Sequence, residues 1–172
     1  VGSWATYGLG SESRDLPAFV VMSDPLDRGL PKGHALNWSA GFLPGVYQGT
    51  HLRPKGRPID NLDLPSGLDP ATQRRQLDLM ARLGRRHQEF DPADQALAAR
   101  LESFELAYRM QMAAPEALDW QREPASIRNL YGTDDKPCDQ FARQCLTARR
   151  LVERGVRFVQ IYSGGMDNER SW

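Results

Sequence analysis

The sequence predicts an α/β protein that is built on a mostly parallel sheet. Two short apolar runs rich in β-branched residues, 17–22 and 156–162, have the composition of buried strands. The long stretch between them carries several amphipathic helical patterns. Helices placed between strands are typical of a parallel sheet that helices cover, and 172 residues suffice for one such domain.

The charge and the composition exclude two classes of partner. The chain has 22 Lys and Arg against 22 Asp and Glu, so its formal net charge is zero. A balanced charge produces no long-range attraction to nucleic acid or to an anionic membrane surface. No apolar run approaches the roughly 20 residues of a membrane-spanning helix. We therefore expect neither a nucleic-acid partner nor a membrane span from this sequence.

The segment 25–68 is predicted as one long irregular loop. It is rich in Gly, Pro and Asn, and no helical period is visible in it. The aromatic residues Trp38, Phe42 and Tyr47 indicate that the loop packs against the domain. Loops of this length are uncommon in compact domains and often carry function.

The segment 70–154 is predicted to be helical, with a further short helix or turn within residues 2–10. Asp69 and Asp91 each precede a proline, which is typical of a helix start because aspartate caps the free amides and proline needs no amide donor there. Gly155 is a natural C-terminal stop. Apolar residues at helical spacing predict two buried faces, namely Leu97, Leu101, Phe104, Tyr108 and Met112 in one helix and Phe141, Cys145, Ala148 and Val152 in another.

The small number of strands indicates that the sheet is incomplete. Two parallel strands alone do not form a stable sheet in water. We therefore expect further strands before Val1 and after Trp172, so that the chain is an internal fragment of one domain. A small α+β domain that is complete as it stands is the alternative.

Several unusual blocks resemble a known bacterial family. They are GSWATYGLGSESRDLPAFVVMS at 2–23, NWSAGFLPGVYQGT at 37–50, LESFELAYRMQMAAPEALD at 101–119, and the stretch 145–172. The chain resembles exported, sulfatase-like proteins of unknown function in the alkaline phosphatase superfamily. This resemblance implies an α/β/α sandwich, twin-arginine export to the periplasm, and metal-dependent hydrolysis of sulfate or phosphate esters of small molecules or polysaccharides.

The same resemblance implies that the chemistry lies outside this chain. In similar proteins the nucleophile precedes the block that begins at Gly2, and the metal-binding motif begins at the position of Trp172. A divalent metal (Zn, Ca or Mg) is therefore expected in the parent protein, and none is expected to be bound by this segment. The resemblance assigns no catalytic or metal-binding residue here and implies that the chain is inactive alone.

The position of the strand ends selects one set of candidate site residues. In open parallel sheets, ligands bind beyond the carboxyl ends of the strands. This rule selects Ser23 and Asp24 after the first strand, and Ser163, Gly164 and Gly165 after the second. The two glycines permit close approach of the backbone to a ligand.

The long loop supplies a second set of candidates. Asn37, Ser39, Gln48 and Thr50 are hydrogen-bonding residues set among aromatics, a composition suited to sugars or ester head groups. A packed structural loop or a subunit contact is the alternative for this segment. The three histidines, His34, His51 and His87, have no metal-ligand spacing.

The function expected from these observations is that of a segment of a metal-dependent ester hydrolase. A non-catalytic carbohydrate-binding or structural domain with the same fold is the main alternative. A small helical interaction domain is a third possibility that the sequence leaves open.

Overall fold

A computed structural model describes residues 1–24, 32–54, 56–59 and 62–163 of the protein. The helices of this part are α1 (Gly2–Leu9), α2 (Pro70–Phe90), α3 (Gln95–Leu118), α4 (Ala125–Tyr131) and α5 (Asp139–Glu153). The strands are β1 (Phe19–Ser23), β2 (Thr50–Leu52) and β3 (Phe158–Tyr162). Short 3₁₀ turns lie at His34–Trp38, Gly45–Tyr47 and Trp120–Arg122.

The described strands form one parallel, three-stranded sheet in the order β2-β1-β3. The α/β class and the parallel sheet predicted from the sequence are therefore confirmed. Both predicted strands are present, at Phe19–Ser23 and Phe158–Tyr162. The segment 25–68, however, contains β2, a strand that the sequence did not indicate. Three residues are too few to show an alternating or continuous apolar pattern, so only pairing with β1 reveals this strand.

Strand β1 is buried along its whole length because a layer covers each of its faces. Phe19 and Val21 pack with Trp38 on the face that α1 covers. Val20 and Met22 pack on the opposite face, in the main core that α3 and α5 enclose. The uniformly apolar composition of this strand reflects that double coverage.

The start signals of the two long helices were predicted with mixed success. Asp69 caps α2, since the amide of Thr72 donates to its Oδ1 at 2.9 Å. The second helix begins at Gln95 and is capped by Asp94, to which the amide of Leu97 donates at 2.9 Å. Asp91 instead accepts a hydrogen bond from the amide of Ala93 in the preceding turn. Either aspartate can accept a hydrogen bond from a backbone amide two or three residues later. The helix begins at Gln95, so Asp94 is its cap and Asp91 lies in the turn before it.

The predicted buried face of α5 is confirmed only in part, since Ala148 packs against the core and Cys145 is half-buried. Phe141 and Val152 are 46% and 56% exposed, whereas Ala142, Leu146 and Leu151 are buried against the sheet. The helix is rotated because its inner face also carries polar groups that bond inward, and hydrophobic periodicity does not count these groups.

The predicted buried face of α3 is also confirmed only in part, since Leu97, Leu101 and Tyr108 are half-buried. Met112 is 85% exposed, and the buried positions are Met110, Ala114 and Ala117. The two alanines let the C-terminal half of α3 approach the core closely, since they occupy little space between backbones. Small side chains contribute weakly to an apolar pattern, so the sequence favoured the larger residues of the other face.

Arg150 joins the C-terminal end of α3 to α5. This residue is only 4% exposed. Its Nε donates to the carbonyl of Ala117 at 3.1 Å, and its Nη2 donates to the carbonyl of Glu116 at 2.8 Å. Its Nη1 donates to the carboxylate of Glu123, which also accepts from Arg149 at 2.7 Å. The guanidinium thus donates to two carbonyls in the last turn of α3, of which that of Glu116 also accepts from the amide of Asp119 at 3.3 Å.

A glycine ends α5 and aligns the chain for β3. Gly155 has a φ of +86°, which side-chain-bearing residues adopt only at a cost. Its carbonyl accepts from the amide of Ser13 at 3.1 Å, so the segment before β1 lies directly against it. A Cβ atom on Gly155 would stand 2.7 Å from the backbone nitrogen of Ser13. Both the conformation and the space require glycine here.

Replacement of this glycine is expected to destabilise the fold. Gly155→Ala should lower the free energy of unfolding by at least about 2 kcal/mol, because the strain of the left-handed conformation adds to the clash. Urea unfolding measures the change. Gly8→Ala is the matched control, since no heavy atom would lie within 4 Å of its new Cβ in α1. The control should be neutral or stabilising by up to about 1 kcal/mol. Equal effects of the two substitutions would contradict this account.

The ion pairs of Glu123 predict an acid-sensitive contribution to stability. The hydrogen bond from Arg150, with help from Arg149, holds the pKa of Glu123 below its ordinary value of 4.5. A carboxylate with a lowered folded pKa stabilises the fold above its unfolded pKa, and this stabilisation is lost as the pH falls through the folded pKa. The melting temperature of the wild type should therefore exceed that of Glu123→Gln at neutral pH. The difference should shrink progressively below pH 4.5.

The control for this measurement is Glu89→Gln, a substitution on the exposed surface of α2. Its melting temperature should follow that of the wild type at each pH. A gap between the wild type and Glu123→Gln that stays constant down to strongly acid pH would contradict the prediction.

Candidate functional site

The carboxyl ends of the three described strands meet at one edge of the sheet. The register places Ser23 of β1 beside Tyr162 of β3. The amide of the next residue, Asp24, donates to the carbonyl of Tyr162 at 3.1 Å, which continues the pairing past the end of β1. On the other side, Val21 is opposite His51 of β2, so the histidine lies two residues before the position opposite Ser23. This carboxyl edge is where an open parallel sheet places its ligands.

A short hydrogen bond links two polar side chains at this edge. Ser23 Oγ and His51 Nε2 are 2.8 Å apart. Ser23 is 1% exposed, so its hydroxyl is enclosed, and among the described residues its side-chain partner is His51. The contact follows from the register, because alternate residues of β1 point to one face and His51 points to the same face.

The indole of Trp38 holds the His51 ring from its face. The two rings stack with centroids 4.9 Å apart and planes at 12°. Trp38 is itself buried, and its carbonyl accepts from the amide of Gly49 at 2.8 Å, just before β2. A Cβ atom on Gly49 would stand 3.0 Å from Cβ of Trp38, so glycine permits this close approach. His51 is therefore fixed by one hydrogen bond and one stacked ring.

The surroundings favour the neutral form of His51. Burial lowers the pKa of this imidazole below its ordinary value of 6.5, because the charged form loses hydration. The ring is only partly buried, and none of the described residues forms a hydrogen bond with its Nδ1. A neutral, oriented imidazole with one nitrogen open can take up a proton from a bound reactant near pH 7.

A buried carboxylate extends the edge towards β3. Asp24 is 2% exposed, and the hydroxyl of Ser163 lies 3.5 Å from its Oδ2. The sequence selected both residues by their position after the strands, and they do lie together at the carboxyl edge. Gly164 and Gly165, which were selected with them, lie outside the described residues.

The candidates from the long loop do not join this edge. Gln48 and Thr50 precede or begin β2 and line a cavity of about 820 Å³ at the amino edge of the sheet. The side-chain amide of Asn37 donates to the backbone carbonyl of Lys32 at 2.9 Å. The hydroxyl of Ser39 donates to the backbone carbonyl of Leu36 at 3.1 Å. The side chains of Asn37 and Ser39 therefore stabilise the loop. The loop contributes to the carboxyl edge through Trp38, which the sequence treated only as a packing residue.

Helix α5 supplies a residue that sequence reasoning missed. The side-chain amide of Gln144 donates to the backbone carbonyl of Ser23 at 2.6 Å. The contact joins residues that are 121 positions apart, and no local pattern marks it. Gln144 thus fixes the end of β1 from the face opposite His51.

The described residues do not form a metal site. None of the groups of His, Cys, Asp and Glu within the described ranges has the three or more members and the arrangement that would hold a metal ion. His34 lies in an exposed turn and His87 on the exposed surface of α2, far along the chain from His51. The divalent metal was expected in the parent protein and not in this segment, and that expectation stays a prediction. In the same part, none of the helices is long and apolar enough to cross a membrane.

Comparison with known proteins corrects the family expected from the sequence. A family model described as a protein of unknown function (DUF1501) matches residues 1–172. None of the curated proteins matches the chain, and none of the solved structures does. The family identified from the sequence blocks, sulfatase-like proteins of the alkaline phosphatase superfamily, is wrong, because nothing in the match indicates that membership.

The titration of His51 tests the geometry of the edge. An NMR titration of the imidazole ring protons should give a midpoint below 6.5, because burial lowers the pKa of His51. In denaturant the midpoint of the same residue should rise to its ordinary value. A folded-state midpoint at or above the denatured one would contradict the enclosed, stacked position of the ring.

Proposed function

The chain belongs to the DUF1501 family of proteins of unknown function, and we propose that the carboxyl edge of its sheet hydrolyses esters with His51 as the acid–base residue. The observation that carries this proposal is the imidazole held by a hydrogen bond and a stacked ring. Ser23 holds Nε2 at 2.8 Å, Trp38 stacks on the ring, and burial lowers the pKa of the histidine. A general base with these properties is in its reactive form near neutral pH.

The proposed step is a proton transfer coupled to attack by water. The attacking water loses one proton to the open nitrogen of His51 while its oxygen bonds to the central atom of the ester. The bond to the alcohol oxygen then breaks, and His51 returns the proton to the departing alcohol. Water and ester are thereby converted into an acid and an alcohol, and the imidazole ends neutral as it began.

Ser23 and Trp38 act through His51 in this proposal. Ser23 is enclosed, so its hydroxyl is assigned to orientation of the ring and to choice of the tautomer. Trp38 limits the tilt of the ring and removes water from one of its faces. Both are positioning residues, since neither is assigned a contact with the substrate.

Sulfate or phosphate esters of small molecules or polysaccharides are the proposed substrates, with carboxylic esters as comparison compounds. Export to the periplasm stays a prediction.

Steady-state kinetics of the full-length gene product test the role of His51. The 4-nitrophenyl esters of phosphate, sulfate and acetate are the substrates. His51→Gln should reduce kcat/KM by about 10² to 10⁴, the usual contribution of a general base. The wild-type profile should lose activity as the pH falls through the lowered pKa of His51, because the protonated ring cannot accept a proton. Ser23→Ala should lower kcat less than His51→Gln does, because it removes only the orienting hydrogen bond.

The control is His87→Gln, on the exposed surface of α2. It should leave kcat/KM and the pH profile unchanged. The proposal fails if the wild type turns over none of the three esters, or if the two histidine substitutions have equal effects.

A further inference from the structure

Helix α2 carries an exposed apolar stripe on a side other than the one that packs on α3. Leu79, Leu83 and Phe90, which form this outer stripe, are 48%, 59% and 80% exposed. At 3.6 residues per turn they fall within about 40° of one another around the helix axis and span about 16 Å along it. Gly84, which is buried against Leu101 of α3, lies about 120° from the middle of the stripe. The outer stripe is therefore separate from the packed face of α2.

A row of arginines borders the outer stripe. Arg75, Arg82 and Arg86 are exposed, and they also fall within about 40° of one another, about 60° from the stripe. Within the described residues, the ion pairs of α2 use Arg74 and His87, so no carboxylate of this part neutralises the arginine row. The helix as a whole has five arginines against two acidic residues, which gives it a net charge of +3. The surface beside the outer stripe is therefore locally cationic.

We propose that α2 lies on the surface of an anionic lipid bilayer, with the outer stripe in the interface and the arginine row on the headgroup phosphates. A helix that sets Leu and Phe beside Arg has the composition of helices that lie in the plane of a membrane interface. The charges of the row are complementary to anionic headgroups. Burial of the stripe and attraction of the row act together in such a contact.

The size of the contact favours a lipid surface over a protein partner. Protein–protein interfaces of standard size use roughly 20–30 residues a side, whereas the stripe and the row supply three residues each. A peripheral lipid contact is weak and reversible and needs no partner of matching shape, so a few side chains suffice when charges assist them. A second copy of α2 is a poor partner, because two helices of net charge +3 repel each other.

The neutral charge of the whole chain is compatible with this contact. A net charge of zero produces no attraction at long range. At physiological salt the screening length is about 8 Å, so a surface that touches α2 experiences mainly the local excess of arginine. The contact does not depend on ester hydrolysis, because α2 supplies no residue of the carboxyl edge.

Co-sedimentation of the full-length gene product with lipid vesicles tests the proposal. Vesicles of phosphatidylcholine and phosphatidylglycerol in equal parts should bind the protein, and vesicles of phosphatidylcholine alone should bind it at least about tenfold more weakly. Leu83→Gln should weaken binding to the anionic vesicles by about fivefold, because an apolar side chain no longer enters the interface. Arg86→Gln should weaken it by about fivefold as well, since each arginine near such a surface contributes a factor of this size.

Leu130→Gln and Arg14→Gln are the matched controls, because they make the same substitutions at exposed positions outside α2. Each should change the affinity by less than about twofold, and all four variants should keep the melting temperature of the wild type, as exposed positions usually do. The proposal is overturned if the anionic vesicles do not bind the protein, which would assign the outer stripe to a protein partner. It is also overturned if both kinds of vesicle bind equally, or if the two α2 variants bind as their controls do.

Discussion

The parallel pairing of β1 with a strand on each side is the constraint on which the rest of the structure depends. Both faces of β1 are buried, so its side chains define the two cores at once. Its last residue, Ser23, contacts His51 through its hydroxyl and Gln144 through its carbonyl. A shift of one residue in this register would exchange the two faces and separate the serine from the histidine. The same pairing thus determines the core and the carboxyl edge.

The helices α3 and α5 pack into the core through small residues and one buried arginine. Ala114 and Ala117 are buried in the core near the end of α3, where α3 packs against α5. Arg150 of α5 donates to the carbonyls of Glu116 and Ala117 in this last turn, and Glu123 balances its charge. A buried cation of this kind is tolerated only when it is fully paired. Its position sets the rotation of α5, and therefore which side of that helix carries Gln144 inward.

Local signals in the sequence were sufficient where a feature depends on neighbouring residues. The apolar runs around β1 and β3, the cap at Asp69 and the stop at Gly155 follow from composition and backbone geometry within a few positions. Features that depend on distant pairing were missed or misplaced. The inner faces of α3 and α5 were assigned to the largest apolar residues, whereas alanines and bonded polar groups occupy them. The candidate site residues of the long loop do not lie together in the structure. Gln48 and Thr50 lie at the amino edge of the sheet, whereas Asn37 and Ser39 form hydrogen bonds within the loop itself.

The sequence alone determined an α/β fold, two of the strands, the helical stretch and the polar residues that follow the strands. Each of these depends on the chemistry of adjacent residues, which the order of the chain preserves. Only the tertiary structure decided that a three-residue segment pairs as β2, and that this pairing brings His51 to Ser23 and Trp38. It also decided that the side-chain amide of Gln144 reaches the carbonyl of Ser23. These contacts join positions up to 121 residues apart, and strand register and helix rotation, which fix them, are properties of the packed whole.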